Sequence, residues 1–262
     1  MVKERISISI DKEVLERLDR EVVNSRSELI EKIITNFVMN KKSAVILAGG
    51  PPQNLLTKKG IYRPLIRIKD KTLIEDIISK LRNSGFEQIF IIGSKKILAA
   101  IFQVIGETGI VYVEETKHLG TAKTLSLLRS KLRNTFLFVP CDHYFELDLR
   151  AIEKYHLENK GIVTLVVYSG VEHEWKKSSI VKLEGNRITE YVESPKYVKT
   201  HLTSILIGFA EPTVFGYIPK SDINYSLQKD LFVQLAKEGK LIGYIFSGKW
   251  KNVHSEDDAK EI

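Results

Sequence analysis

Strand-like and helical stretches alternate along residues 43–139, and this alternation limits the folds open to the chain. Short apolar runs predict strands at residues 43–48, 89–92, 110–113 and 136–139. Helical spacing of apolar residues appears between them, at residues 72–82 and 121–132. Such alternation is typical of a mostly parallel sheet covered by helices. Beyond residue 161 the prediction shifts toward strands, at residues 163–168, 180–183, 205–209 and 241–246, with a helix at 227–237.

Three features follow predicted strands and mark a candidate ligand site. Gly49 and Gly50 follow the first strand, Gly120 and Thr121 open a predicted helix, and Asp142 follows the strand at 136–139. In open α/β sheets, ligands bind at the carboxyl ends of the strands. There, main-chain amides can hold phosphates and a carboxylate can hold a divalent cation. Each feature alone fits a turn, a helix start or a cap, but their shared position favours a ligand site.

Together these features resemble the sugar-phosphate nucleotidyltransferase family over residues 43 to about 258. The matching motifs are Leu47-Ala-Gly-Gly50, Arg63-Pro-Leu65, Leu119-Gly-Thr-Ala122, Asp142 with Leu147-Asp-Leu149, Ile188-Thr-Glu-Tyr-Val-Glu193 and Trp250-Lys-Asn-Val253. The resemblance implies a Rossmann-like mixed sheet. It also implies a reaction in which a sugar 1-phosphate attacks the α-phosphorus of a nucleoside triphosphate and releases pyrophosphate. The site residues that it implies are Gly49, Gly50, Arg63, Gly120 and Thr121 for the nucleotide and Asp142 for Mg²⁺.

The same motifs depart from the family pattern at charged and flexible positions. A loop glycine is Pro52, a loop arginine is Asn54, and the catalytic lysine is Arg63. The lysine of a later motif is Ser194, and the second metal aspartate is Asn252. Asp142 is therefore the one acidic metal ligand left, and the sequence predicts weak Mg²⁺ binding. No catalytic residue is assigned, and the pattern leaves open whether the domain is an enzyme. The candidates to replace lost charges are Lys58, Lys59 and Lys196.

A short amphipathic strand precedes two predicted helices at the start of the chain. Ile6, Ile8 and Ile10 alternate with polar residues over residues 4–10, which is the period of a half-buried strand. Asp11 can cap a first helix, and Ser25 with the glutamate three residues later fits a capping box for a second. A lone strand in so short a unit needs a partner, and a second copy of the chain is the simplest one.

This segment resembles the ribbon-helix-helix family of DNA-binding regulators over residues 3 to about 40. The resemblance lies in Arg5-Ile-Ser-Ile-Ser-Ile10, Asp11-Lys-Glu-Val-Leu15 and Ser25-Arg-Ser-Glu-Leu-Ile30. It implies a homodimer that contacts DNA, and the implied contacts are Arg5, Ser7 and Ser9 to bases and Ser25, Arg26 and Ser27 to phosphates. The alternative is that the segment only dimerises. Residues 1–42 hold nine Lys and Arg against eight Asp and Glu, a net charge of +1 that is low for DNA binding.

Composition excludes several classes of protein. The 262 residues include one cysteine, Cys141, so no intramolecular disulfide can form and the cytoplasm is the expected compartment. No apolar run reaches the roughly 18 to 20 residues that a membrane helix needs, and we expect no membrane partner. The formal charge of +7 allows an acidic partner. Abundant Lys, Glu and Ile with scarce Cys and Met indicate a thermophilic source.

The sequence therefore predicts two domains, a ribbon-helix-helix (β-α-α) domain at 1–42 and a nucleotidyltransferase-like α/β domain at 43–262. Our interpretation is a cytoplasmic, homodimeric, DNA-binding transcriptional regulator, with higher oligomers left open. Its degenerate large domain would sense a nucleotide or nucleotide-sugar. The alternative is an active nucleotidyltransferase, which converts nucleoside triphosphate and sugar 1-phosphate to nucleotide-sugar and pyrophosphate, with an N-terminal dimerisation or DNA-binding unit. A third possibility is a scaffold that binds neither DNA nor nucleotide specifically.

Overall fold

The computed structural model describes residues 6–22, 25–39, 41–106, 109–170, 178–197 and 202–262, with side chains of 35–39 outside that description. The chain divides into two compact units, Met1–Lys41 and Lys42–Ile262. This division lies one residue before the predicted domain boundary. Within the described ranges, no helix is both long and apolar enough to span a bilayer.

The described part of the small unit contains two helices. Helix α1 runs over Lys12–Glu21 and helix α2 over Arg26–Met39. The side chain of Asp11 caps α1 by accepting a 2.8 Å hydrogen bond from the N–H of Glu13. Ser25 precedes α2, and its Oγ accepts a 3.1 Å bond from the N–H of Glu28. Both helices and the Asp11 cap agree with the prediction, and the bond to Ser25 is one half of the predicted capping box.

The predicted N-terminal strand is not formed in the described residues. Residues 6–10 belong to neither a strand nor a helix, and the exposed fractions of Ile6 and Ile8 are 70% and 52%. A strand needs a neighbour to accept and donate its main-chain hydrogen bonds, and nothing in the described part of one chain supplies it. The ribbon-helix-helix arrangement is therefore not shown. Arg5, its predicted base-contacting residue, lies outside the described residues.

The large unit is built on a mixed sheet. Its strands, in chain order, are β1 Ser43–Ala48, β4 Gln88–Gly93, β5 Ile110–Glu114, β6 Phe136–Pro140, β8 Val163–Tyr168, β9 Ser179–Glu184, β10 Arg187–Glu193, β11 Thr203–Ala210 and β12 Leu241–Phe246. Among described residues these nine lie in the order β5-β4-β1-β6-β11-β8-β12-β10-β9. Strands β5, β4, β1 and β6 are mutually parallel, whereas β11 is antiparallel to both β6 and β8.

Among the described residues, four short strands outside this sheet form two antiparallel pairs. Strand β2, Arg67–Ile68, pairs with β3, Lys71–Thr72, and β7, His143–Phe145, pairs with β13, Trp250–Asn252. The second pair joins the segment after β6 to the C-terminal segment. It therefore brings residues near 142 and 252 together.

Helices cover both faces of the sheet. The remaining helices are α3 Leu73–Asn83, α4 Lys95–Ile105, α5 Thr121–Ser126, α6 Leu149–Asn159, α7 Phe232–Lys237 and α8 Glu256–Lys260. Every residue of β1 is buried, with Ala44 and Ile46 in one core and Val45 and Leu47 in the other. Helices α3, α4 and α6 contribute to the first core, and α5 and α7 to the second. This layering confirms the predicted α/β class.

Two predicted elements differ in length or kind. The helix predicted at 121–132 ends at Ser126, because the next amides bond three residues back, as Leu128 does to Leu125, and form tighter turns. The helix predicted at 227–237 begins as a π-helical turn, Leu227–Leu231, before α7. The first four strands are mutually parallel, as predicted, and β8 is parallel to β12, whereas β11, β10 and β9 pair antiparallel with their neighbours.

Candidate functional site

The predicted Gly49, Gly50 and Asp142, together with Glu115, follow strands that run in one direction. Strand β1 leads into Gly49 and Gly50, β6 leads into Asp142, and β5 leads into Glu115. Because these strands belong to one parallel group, their carboxyl ends lie at the same edge of the sheet. This is the edge at which open α/β sheets bind ligands.

The glycine loop is held by a buried glutamate. The N–H of Gly50 donates a 2.6 Å hydrogen bond to Glu115 Oε2, and the Thr124 hydroxyl donates to Glu115 Oε1. The Nδ1 atom of His118 lies 2.9 Å from the same Oε2 atom. A Cβ atom at Gly49 would stand only 2.7 Å from Thr124 Cγ2, so the loop passes too close to α5 for a side chain.

Sequence reasoning missed Glu115. It is 4% exposed although ionisable, and it follows a strand end five residues before Gly120. A carboxylate directly after a predicted strand was the feature of the sequence that could have indicated it. His118 and Thr124 are close to it in sequence, whereas Gly50 is 65 residues away and only the fold brings it to Glu115.

The start of helix α5 is covered by a later segment of the chain. The N–H of Ala122 donates to the Tyr225 carbonyl at 3.2 Å, and the Thr121 hydroxyl accepts from Leu227 N–H at 2.9 Å. A Cβ atom at Gly120 would lie 2.6 Å from Asn224 Oδ1. The expected free amide of Ala122 is thus already used within the chain. The nucleotide-binding role of Gly120 and Thr121 stays a prediction.

Arg63 and Asp142 form an ion pair at the same edge. Arg63 starts a 3-10 turn, Arg63–Leu65, and its Nη1 atom lies 3.1 Å from Asp142 Oδ2. The exposed fractions of the two side chains are 21% and 13%, so the pair is largely shielded from water. Main-chain hydrogen bonds hold the segment around Asp142. The N–H of Cys141 donates to the Leu47 carbonyl, and the N–H of Val253 donates to the Asp142 carbonyl at 2.8 Å.

The β7–β13 pair places aromatic and amide groups beside Asp142. His143 lies opposite Asn252, and Trp250 Nε1 donates a 3.3 Å hydrogen bond to His143 Nδ1. Burial lowers the pKa of His143 to about 4, so its ring is neutral near pH 7 and Nδ1 can accept. Within the described part of the chain, the buried Oδ1 of Asn252 has no hydrogen-bond partner.

The residues present do not fit the magnesium site that the family resemblance implies. Mg²⁺ prefers several oxygen ligands, usually including carboxylates. Here one carboxylate, Asp142, already contacts a guanidinium, and the second implied ligand is the neutral Asn252. Across the described residues, no group of three or more His, Cys, Asp or Glu side chains could hold a metal ion.

A basic cavity of about 270 Å³ lies beside Glu115 and Thr124. Its lining includes Lys117, Lys123 and Arg129. Lys117 pairs with Asp222, and Lys123 donates to the Ser221 carbonyl at 2.5 Å. These lysines therefore fasten the segment near residue 221 beside the cavity.

The predicted DNA-contacting residues of the small unit that the structure describes are on its surface. Ser7, Ser9 and Ser27 are exposed. Ser25 caps α2, and Arg26 Nε and Nη2 lie 2.6 and 2.5 Å from the carboxylate of Asp19. The predicted phosphate-binding arginine is thus paired within its own unit.

Residues 43–259 match the model of a family described as nucleotidyl transferase. The chain belongs to the nucleotidyl transferase family. A glucose-1-phosphate adenylyltransferase of Bacillus subtilis is 29% identical over 243 residues, covering 80% of this chain and 63% of that protein. A protein of Arabidopsis thaliana described as a mannose-1-phosphate guanylyltransferase is 25% identical over 207 residues, covering 75% and 62%. The chain thus spans about three fifths of these relatives' length.

Solved structures show that this nucleotidyl transferase family member has the expected fold. A Bacillus anthracis structure described as a glucose-1-phosphate thymidylyltransferase superposes with a TM-score of 0.74 at 19% identity, covering 84% of this chain and 93% of that chain. The inositol-1-phosphate CTP transferase from T. maritima gives 0.68 at 17% identity, covering 83% and 91%.

The family match changes the balance between the two interpretations of the sequence. It begins at residue 43 and supports the nucleotidyltransferase alternative better than the transcriptional regulator. Neither the comparisons nor the described residues show DNA binding by the small unit.

Proposed function

We propose that the large unit binds a nucleoside triphosphate and a sugar 1-phosphate and transfers the nucleotidyl group between them. The observation that carries this proposal is the convergence of the glycine loop, Glu115 and the Arg63–Asp142 pair at one sheet edge. Relatives named for mannose 1-phosphate and glucose 1-phosphate, and for guanylyl and adenylyl transfer, support the substrate class.

The reaction requires the protein mainly to position the two substrates and to supply positive charge. An oxygen of the sugar phosphate attacks the α-phosphorus, the bond to the β-phosphate breaks, and pyrophosphate leaves. Charge on the transferring phosphoryl group must be neutralised by preorganised groups. Arg63 pairs with Asp142 at this sheet edge, and we expect it to supply the positive charge. Because a loop arginine and a second carboxylate are replaced by Asn54 and Asn252, we expect slow turnover.

Pyrophosphate release tests the proposal. GTP and ATP would each be combined with mannose 1-phosphate and glucose 1-phosphate, and binding of each nucleotide measured by calorimetry. We expect binding of at least one nucleotide and pyrophosphate release that requires one sugar phosphate. Asp142→Asn should reduce turnover, whereas Asp70→Asn, at an exposed position, is the matched control. Binding without turnover would replace the transferase with a nucleotide sensor, and absence of both would contradict any nucleotide function.

A second function, DNA binding by a ribbon-helix-helix dimer, is favoured by one observation in the small unit. Ile6 and Ile8 are exposed apolar residues alternating with exposed Ser7 and Ser9. Pairing with a second copy would cover the isoleucines and turn the serines outward, toward a DNA major groove.

Operator mapping on genomic DNA followed by two substitutions tests this second function. Arg5→Ala should weaken specific binding by about 1 to 3 kcal/mol through a lost base contact, whereas Lys41→Ala should weaken all sequences alike. Equal losses on operator and random DNA for both variants would contradict the assigned roles. No effect of either variant would leave dimerisation as the unit's role.

A further inference from the structure

The Arg63–Asp142 pair occupies the place where the family resemblance implies a metal ion. Arg63 Nη1 stands 3.1 Å from Asp142 Oδ2, and both side chains are largely buried. A cation at that oxygen would meet a like charge at contact distance, which is unfavourable in a partly shielded site. The guanidinium is therefore a competitor for the position of a divalent ion.

The neighbouring groups do not compensate for that competition. Asn252 lies opposite His143 in the β7–β13 pair, and the N–H of Val253 reaches the Asp142 carbonyl. Asn252, which stands at the position of the family's second metal aspartate, thus offers only a neutral amide. Across the described residues, no group of three or more His, Cys, Asp or Glu side chains could hold a metal ion.

Arg63 also keeps a hydrogen-bond donor for a ligand. Its Nε atom is buried and has no partner among the described residues. A buried N–H without an acceptor is costly, so an acceptor supplied by a ligand would remove that cost. The planar guanidinium can contact Asp142 through one nitrogen and offer others to a phosphate, a geometry that ammonium lacks.

We propose that the guanidinium of Arg63, anchored by Asp142, is the fixed cation of this site and binds a ligand phosphate in place of a divalent metal ion. The proposal rests on the proposed nucleotide-binding function and concerns how the phosphate is held. Asp142 acts here as a positioning residue, because it orients the guanidinium and contacts no phosphate. In the metal-dependent arrangement that the family resemblance implies, Asp142 would hold the metal ion and nucleotide binding would require that ion.

Nucleotide affinity with and without metal is the first measurement. GTP and ATP are titrated into the full-length protein in excess EDTA and in excess Mg²⁺. We expect the Kd of the nucleotide that binds to differ by less than about threefold between the two conditions. Arg63→Ala should raise Kd by roughly ten- to a hundredfold, as expected for losing a hydrogen bond to a charged group. Arg67→Ala, at an exposed arginine that donates to the Asp70 carbonyl, should leave Kd within about threefold.

Arg63→Lys separates charge from geometry and guards against a misfolded alanine variant. Lysine keeps the positive charge but loses the fork that reaches Asp142 and phosphate together. We expect a Kd between those of the wild type and Arg63→Ala, with unchanged circular dichroism. Wild-type affinity in both variants would overturn the proposal.

Mn²⁺ titration of the ligand-free protein, followed by electron paramagnetic resonance, is the second measurement. We expect the wild type to leave the free Mn²⁺ signal unchanged, as Asp142→Asn and the control Asp70→Asn should also do. Mn²⁺ binding that is present in the wild type and lost in Asp142→Asn would overturn the proposal. Nucleotide binding that requires Mg²⁺ would do the same. Absence of nucleotide binding in both conditions would refute the nucleotide function and the phosphate contact with it, while the Mn²⁺ result would still show whether Asp142 holds a metal.

Discussion

The carboxylate of Glu115 accepts a 2.6 Å hydrogen bond from the main-chain N–H of Gly50. This bond joins the end of β5 to the loop after β1, across strand β4. Thr124 and His118 contact the same carboxylate from the segment that includes α5. One buried acidic side chain therefore holds the glycine loop and the neighbouring helix in register, and a nucleotide that uses the Gly50 amide has to displace or share this bond.

Glu115→Gln should destabilise the large unit. The substitution preserves size, but it places an NH₂ group where one of two oxygens now accepts from Gly50 or Thr124. The neutral amide also loses the charge that strengthens both hydrogen bonds, and a hydrogen bond to a charged group contributes about 1.5 to 3 kcal/mol. Urea unfolding measures the change. Glu114→Gln, at the exposed neighbouring position, is the matched control, with an expected change within about 0.5 kcal/mol. Equal stability of the two variants would contradict the role assigned to Glu115.

Gly49→Ala should be destabilising for steric reasons. Its Cβ would meet Thr124 Cγ2 at 2.7 Å and Glu115 Oε2 at 3.1 Å. Overpacking of this kind costs about 1 to 3 kcal/mol. Adding Thr124→Ser removes the clashing methyl group but keeps the hydroxyl, so the double variant should recover part of the loss in thermal unfolding. Gly216→Ala, where a Cβ meets nothing within 4 Å, is the control.

The sequence predicts the elements of the large unit better than their arrangement. Strand and helix periods are local properties, so β1, α3, β4 and β6 appear within a residue or two of their predicted bounds. The antiparallel β11, inserted between β6 and β8, depends on pairing between distant segments. The spacing of apolar residues within one segment does not indicate which distant segment it will pair with.

The site shows the same division between local and distant information. Gly49, Gly50 and Asp142 stand at strand ends, a position that can be predicted from the strands alone. The contact of Arg63 with Asp142 joins residues 79 positions apart, and that of Glu115 with Gly50 joins residues 65 apart. The motif suggested Arg63 as a nucleotide-binding residue, but only the fold shows its carboxylate partner.

The small unit should make the protein a homodimer in solution. Ile6 and Ile8 are 70% and 52% exposed, and covering an isoleucine side chain is worth about 1.5 to 3 kcal/mol. Light scattering on the full chain should give twice the mass of one chain. Ile6→Ser with Ile8→Ser should shift the equilibrium toward monomer, whereas Ser7→Ala, on the alternate face, should not. A monomeric wild type at micromolar concentration would contradict both the dimer and the DNA-binding ribbon.

Stability should fall as the pH falls below the ordinary pKa of histidine, in part because of His156. This side chain is 1% exposed, with Nδ1 2.7 Å from Thr164 Oγ1 and Nε2 3.0 Å from Glu211 Oε1. Burial lowers the pKa of His156, although the hydrogen bond and charge of Glu211 oppose that shift. The unfolded chain therefore binds this proton more readily than the folded chain. The stabilisation is complete above about pH 6.5 and is lost as the pH falls from there toward the folded pKa.

Unfolding in urea at about pH 7.5 and about pH 5.5 measures this loss in the wild type and in His156→Gln. Glutamine can keep one polar contact but does not titrate in this range, so the variant should lose less stability between the two pH values. The variant should still lose some stability between the two pH values. Burial also lowers the pKa of His143, to about 4, and that residue remains in the variant. Stability changes by about 1.4 kcal/mol for each unit of pH over which one full proton is taken up. Identical losses in the two proteins would show that His156 is not a source of the acid sensitivity.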